Sequence, residues 1–251
     1  MKKWHWILLA VFTYLLFLIA YTPASLVSEL IHKQTNKQVT LYGVNGTLFS
    51  GSAEQVSAQG IHVNNVQWEL SPLSLLMLKA KLDVKGGNIR NKDDIYVKGK
   101  LSASLLSPEK FSLQNASLFV PTKTLLSQIK LPVFVTASGR FRVDVNELEF
   151  DEGCQALQGK GNWLEAAVNV NKKEIDFGTF EAALSCDTPG FAVQILPGNR
   201  LSLDANLSIA LNGKYKVTGE YAIDNSLPKE IQEAARFFGK PQGNGRYTIS
   251  F

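Results

Sequence analysis

Residues 201–223 read LSLDANLSIALNGKYKVTGEYAI, and this stretch sets the fold class. Leu201, Leu203, Ala205, Leu207, Ile209 and Leu211 alternate with Ser202, Asp204, Asn206 and Ser208. Beyond Asn212-Gly213, Tyr215, Val217, Tyr221 and Ile223 alternate with Lys216, Thr218, Glu220 and Ala222. A period of two sends successive side chains to opposite faces of a strand, one packed and one wetted. Asn-Gly between two such runs supplies the left-handed backbone that a tight hairpin turn needs. The stretch therefore predicts two antiparallel strands.

The same period recurs at Phe141, Val143 and Val145 against Arg142, Asp144 and Asn146, and it holds from Gln38 onward. Many antiparallel strands in succession make a mainly β domain, as a meander, a sandwich or a curved, barrel-like sheet. Short helices interrupt it. Ser71-Pro72 caps a turn through Leu73, Leu75 and Leu76, with proline at an early position where its missing donor costs nothing. Leu227 to Phe238 carries Leu227, Ile231, Ala234, Ala235 and Phe238 on one face and ends at Gly239 and Pro241. Pro121 to Lys130 is a weaker third helix. Gly46–Trp68 and Gly139–Trp163 loosely resemble each other, each opening on glycine and closing on tryptophan. That fits one curved β-unit used twice, or the turn grammar of any β-rich chain. Leu131-Pro132 is the best seam for a division into two halves.

The N-terminus is of another kind. Trp4–Tyr21 reads WHWILLAVFTYLLFLIAY, 18 residues without Asp, Glu, Lys or Arg. As a helix at about 1.5 Å per residue it spans roughly 27 Å, close to a hydrocarbon core of about 30 Å. Trp4, Trp6 and Tyr21 stand at its ends, where amphipathic rings favour the interface. Lys2 and Lys3 precede it and no cation follows until Lys33, which predicts a cytoplasmic N-terminus and an exported remainder. Thr22-Pro23-Ala24 offers the rival of signal cleavage after Ala24. The proline, and an apolar run longer than a usual signal core, favour a retained anchor. Residues 1–21 are thus expected to be a cytoplasmic tip and transmembrane anchor. Residues 22–37 should form a juxtamembrane helix, with Leu26, Val27, Leu30 and Ile31 at helical spacing, and residues 38–251 the β-rich domain.

Hydrophobic residues make up 45% of the 251 and charged ones 19%, enough to bury a core. Lys plus Arg is 26 against 22 acids, and 24 against 22 without Lys2 and Lys3, a near-neutral balance that gives no support for a nucleic-acid partner. Cys154 and Cys186 both follow the anchor, so an oxidising compartment and a structural disulfide are expected, with two buried thiols the alternative.

No residues assemble into a catalytic pattern. His5 lies in the anchor, His32 beside it and His62 in a strand, and no two have metal-ligand spacing. Gly46 to Gly51-Ser52 has the glycines of a phosphate loop but lacks its lysine, and reads as a β-turn. Gly243-Asn244-Gly245 lacks the third glycine of a dinucleotide site. Asp93-Asp94 and Asp151-Glu152 sit in turn-like sequence, where solvated acids are ordinary. No catalytic, cofactor or metal residue is expected.

Several segments in order carry a family resemblance: the Met-Lys-Lys anchor, Gly43 to Gly51 (GVNGTLFSG), Val66 to Pro72 (VQWELSP), two cysteines in the second half, and Gly245 to Phe251 (GRYTISF). Together they resemble the type II secretion system protein N family along essentially the whole chain. The resemblance implies a single-pass protein of a Gram-negative inner membrane whose bulk is periplasmic. It also implies a place in a machine that exports folded proteins, where an anchored β-domain without a catalytic pattern is expected to contact the inner-membrane platform or the secretin-linking component. Tyr247–Phe251 is a candidate edge or terminal strand for such contacts. The alternative is a lipid-handling groove, resembling AsmA-like and lipopolysaccharide-transport bridge families. An open apolar sheet face would favour it and a closed core would not.

Overall fold

The structure, a computed structural model, describes residues 2–127, 136–170, 173–223, 232, 240–243 and 245–250. Two helices come first, α1 (Lys2–Ala20) and α2 (Ala24–Gln34). The strands are β1 (Val39–Tyr42), β2 (Asn45–Gly46), β3 (Ser50–Ala58), β4 (Ile61–Leu70), β5 (Lys79–Gly86), β6 (Tyr96–Ser104), β7 (Phe111–Pro121), β8 (Thr136–Phe150), β9 (Cys154–Val170), β10 (Lys173–Asp187), β11 (Gly190–Ile195), β12 (Asp204–Ile209), β13 (Tyr215–Ala222), β14 (Lys240–Pro241) and β15 (Arg246–Ser250). Helix α3 (Pro72–Leu76) lies between β4 and β5, and α4 (Thr122–Ser127) between β7 and β8.

The strands form one antiparallel sheet in the order β1-β3-β4-β5-β6-β7-β8-β9-β10-β11-β12-β13-β15-β14, with β2 beside β3. The order is almost the chain order, because short turns can join only antiparallel neighbours. The two end strands do not pair with each other, so the sheet is open. Of the alternatives offered by the sequence, the described residues form neither a closed barrel nor a two-sheet sandwich. One layer leaves little to bury. Among the described residues the buried apolar side chains are few, and many are alanines, among them Ala53, Ala137, Ala166, Ala167 and Ala205. A compact protein of this mass would expose about 11,000 Å². This chain exposes 16978 Å². Helix α1, exposed along its described side chains, supplies part of the surplus, and the single-layer sheet supplies the rest.

Bulges interrupt the alternation at regular places. Asn65, Asn115 and Glu165 lie inside strands with φ of 51°, 48° and 50°, a left-handed conformation that L-residues seldom adopt. The register shifts by one residue at Asn115 against β6 and at Glu165 against β8, so residues three apart share a face. A Cβ on Gly86 would meet both Val63 and Val66, and one on Gly99 would meet both Leu113 and Ala116. Trp163 and Ala166, and likewise Phe177 and Phe180 around the left-handed Gly178, pack in one cluster with Ile175, Val168 and Leu201. The bulges keep apolar groups on one face while bending the strands.

The longest strands meet at an aromatic stack. Trp163 stands between Phe141 and Phe180, with ring centroids 5.4 and 5.5 Å apart and planes nearly parallel. Its indole N–H donates to the hydroxyl of Thr122 (2.9 Å) and the carbonyl of Ser138 (3.2 Å). Trp68 likewise donates to the carbonyl of Leu48, at 3.3 Å. Both tryptophans that close the resembling sequence units thus tie their strand to a segment near the unit's start.

Several expectations change. The run from Leu201 to Leu211 is strand only over Asp204–Ile209. The side-chain oxygen of Asn199 accepts from the N–H groups of Leu201 and Leu203, while its amide donates to the carbonyls of Leu196 and Leu203. Those four bonds hold residues 199–203 as a turn and override the alternation. β15 is the last strand of the chain, with only the two-residue β14 outside it, Lys240 opposite Thr248 and Pro241 opposite Tyr247. The Asn212-Gly213 hairpin forms, with Gly213 at φ 79°. Of the helix read at Leu227–Phe238 only Gln232 is described, in helical conformation, and the seam at Leu131-Pro132 lies outside the described residues. Either side of that seam, β7 and β8 pair from Phe111↔Phe150 to Pro121↔Arg140.

Trp163→Ala removes both ring contacts and leaves the buried Thr122 hydroxyl without its donor. We expect a loss of about 3–5 kcal/mol in a urea titration. A loss below about 1 kcal/mol would show that the stack does not hold the long strands together.

Candidate interaction surface

Across six strands the pairing register brings six leucines into line: Leu70, Leu82, Leu101, Leu113, Leu148 and Leu157, from β4 to β9. All six are half-buried. Farther along, Leu184, Val193, Leu207 and Val217 form a second row over β10 to β13. Among the described residues no second layer covers either row. Leu118, on the same face, is 38% exposed. This is an apolar surface many strands wide, far beyond the scattered apolar residues of an ordinary surface.

The opposite face is polar. Glu69, Asp83, Lys100, Gln114 and Glu147 face one another across β4 to β8, one residue out of step with the leucines. A shallow cavity of about 910 Å³ opens here between Phe49, Pro72, Lys79, Lys81, Asp83 and Lys100. Its charges are of both signs, and Lys100 lies 3.8 Å from Asp83. Such an exposed pair contributes little to stability and selects no single charge of ligand.

One packed cluster interrupts the polar face. Arg140 reaches the segment joining β5 to β6 and donates to the carbonyls of Ile89 (2.8 Å) and Asp94 (3.0 Å), with its guanidinium 4.6 Å from the centre of the Phe119 ring. Burial holds its pKa below the usual arginine value, with the nearby Asp94 opposing the shift. Its remaining Nε is buried without a partner. Asp94 thus serves through its backbone. Asp93 stays in the turn, where its N–H donates to Asn91, and Asp151 pairs with Lys110 at 2.8 Å. The acid pairs of the sequence are turn residues.

Cys154 and Cys186 form a disulfide with Cα atoms 5.5 Å apart. The β9–β10 ladder ends at Gly159↔Leu184, and the bridge ties the two chains beyond that point. Phe150 and Phe191 stack over the same gap, 6.3 Å apart. Gly46 pairs with Gly51 in a β2–β3 turn, not a phosphate loop, and Gly245 lies in the turn between β14 and β15. His32 Nδ1 lies 3.3 Å from the carbonyl of Val39 and 3.2 Å from the hydroxyl of Thr40, where α2 meets the edge strand β1. His62 is an exposed residue of β4. Among the described residues no three His, Cys, Asp or Glu side chains gather as metal ligands.

Lys2, Lys3, Trp4 and Trp6 belong to α1, and Tyr21 follows it, its ring stacked on Phe17. Trp4, Trp6 and Tyr21 are exposed. Thr13 donates to the carbonyl of Leu9, which satisfies its hydroxyl within the helix. Among the described residues no helix is long and apolar enough to cross a membrane. The structure provides the 19-residue helix, and the membrane reading rests on its sequence.

The sequence family described as type II secretion system protein N matches residues 37–250, the whole β-sheet apart from α1 and α2. The chain belongs to that family. Type II secretion system protein N of Aeromonas hydrophila is 25% identical over 244 residues, covering 95% of this chain and 93% of that one. The protein of the same name from Vibrio cholerae serotype O1 is 25% identical over 215 residues, 84% and 82% of the two chains. That of Pectobacterium carotovorum is 24% identical over 243 residues, 96% and 93%. No solved structure matches. The chain is therefore a component of a type II secretion system. Sequence reasoning found the alternation but not the leucine row, because the row depends on the register of six strands and the bulges between them.

A half-buried leucine loses roughly half of the 1.5–3 kcal/mol that full burial contributes. Leu148→Ala in the purified chain should therefore cost about 1 kcal/mol by denaturant titration. A loss in the 2–5 kcal/mol range of a true core leucine would mean that a further part of the molecule covers the row.

Proposed function

We propose that the chain is a non-enzymatic, single-pass inner-membrane component of the type II secretion system, held by α1 with its N-terminus in the cytoplasm. Its β-sheet lies in the periplasm and acts by contact with other proteins of the machine. The observation that carries the reading is the family match over residues 37–250. Three further features support it. Lys2 and Lys3 stand on one side only of the uncharged run Trp4–Tyr21. The disulfide suits an oxidising compartment. Among the described residues, the apolar row of β4 to β9 offers a broad contact surface. The partners are the inner-membrane platform or the component that links it to the secretin. Deleting the chain should lower the export of folded substrates, and unchanged export with unchanged recovery of the complex would overturn the proposal.

The leucine row favours a second reading, in which the apolar face cradles acyl chains. A photo-reactive residue replacing Leu118 on the apolar face, and another replacing Glu149 on the polar face, separate the two in intact cells. Adducts with secretion proteins support the contact reading. Lipid adducts at Leu118 but not at Glu149, without a protein partner, support the lipid reading.

A further inference from the structure

Helix α3 packs inside out. Leu73, Leu76 and Met77 recur at i, i+3 and i+4 and form its apolar stripe, yet they are 74%, 80% and 71% exposed. The side turned to the protein carries Ser74, which is buried. Its hydroxyl donates to the carbonyl of Ser71 (2.7 Å) and accepts from the N–H of Lys81 (3.1 Å). These bonds fix the helix against β5 and hold its apolar stripe outward. Leu78 and the next turn extend the patch: the N–H of Leu105 donates to the carbonyl of Leu78 at 2.9 Å, and Leu105 and Leu106 are both exposed. Water gives no return for presenting six large apolar side chains on one rim.

The place of the patch indicates what meets it. The chain leaving α1 enters the sheet at this same rim. Pro23 bridges to Thr47, and the N–H of Leu48 donates to the carbonyl of Thr22 at 2.9 Å. The N–H of Leu70, at the end of β4, donates to the carbonyl of Phe49 at 2.7 Å, and α3 follows two residues later. From β3 to β6, which ends at Ser104 just before Leu105, is three strand spacings, roughly 14 Å. Both apolar turns therefore lie beside the point where α1 emerges. Lys79 and Lys81 flank the patch, but Glu69 and Asp83 line the same cavity, so apolar contact carries the argument rather than net charge.

We propose that Leu73, Leu76, Met77, Leu78, Leu105 and Leu106 form a second membrane contact, dipping into the outer leaflet of the bilayer that α1 crosses and fixing the sheet's tilt against it. The proposal rests on the anchor reading above. It differs from the acyl-chain groove, since it uses the rim of the sheet and the intact bilayer. An apolar turn held at the boundary between headgroups and acyl chains buries its side chains without crossing the membrane.

The test uses the full chain reconstituted in vesicles of phosphatidylethanolamine and phosphatidylglycerol. Its own two cysteines are paired, so introduced ones label selectively. An environment-sensitive fluorophore is placed in turn at Leu76→Cys, Leu106→Cys, Leu9→Cys in α1, and Ile89→Cys, an exposed site between β5 and β6 at their opposite ends. Nitroxide-bearing lipid should quench most of the emission at Leu76, Leu106 and Leu9 and leave Ile89 unchanged. Quenching at Leu9 but not at Leu76 or Leu106 overturns the rim contact and leaves the anchor intact. No quenching at Leu9 overturns both. Shielding of Leu76 and Leu106 that grows with the protein-to-lipid ratio, without lipid quenching, would assign the patch to a second copy of the chain and overturn the proposal.

Discussion

The ring of Trp163 between Phe141 and Phe180 marks the constraint on which the fold depends: a sheet one layer thick can stabilise itself only along its own width. Among the described residues no facing layer supplies a core, so each strand relies on its two neighbours. Stacked rings across adjacent strands contribute about 0.5–1.5 kcal/mol per pair beyond the area they bury. Phe141, Trp163 and Phe180 supply two such contacts across β8, β9 and β10, where the strands are longest. The disulfide acts on the same strands at the point where the β9–β10 ladder stops. Stability of this kind is nearly one-dimensional, as in repeat proteins. The two ends are the weak points, and α2 packs beside β1 to protect one of them.

That arrangement explains why so much apolar surface stays half-exposed. In a two-layer domain the leucine row would be the inner face of one sheet, packed on its partner. Here it has no partner among the described residues, yet its leucines shield one another, because directly opposed side chains approach within about 5 Å. The bulges at Asn65, Asn115 and Glu165 sharpen this. By setting residues three apart on one face they crowd Val63 with Val66 over Gly86, and Leu113 with Ala116 over Gly99. The glycines are required there because any Cβ would collide with the crowded pair.

How far the sequence could be read follows from which interactions are local. The hairpin at Asn212-Gly213, the alternation of Phe141 to Asn146, and the proline-initiated turn at Pro72 depend on neighbours in the chain, and each was legible. The turn at residues 199–203 was not, because one asparagine satisfies four backbone groups and no alternation pattern registers that. The inverted packing of α3 was hidden for a related reason. Its leucine spacing is that of a helix docked on a core, and only the bonds made by Ser74 show which side is inward. The open edge of the sheet was invisible as well, since alternating strands serve equally a sheet that closes and one that does not.

The same physics accounts for how the relatives match. A buried two-layer core constrains the shape of each side chain, since interiors are close-packed. A one-layer sheet constrains mainly the alternation, the bulge positions and the turns. Sequences of one such family can then diverge in identity while keeping order and spacing. The 25% identity to the Aeromonas hydrophila protein extends over 95% of this chain and 93% of that one. The opening and closing segments, with their glycines and tryptophans, are legible for the same reason: a left-handed turn or a collision with Trp68 at Gly51 leaves no room for another residue.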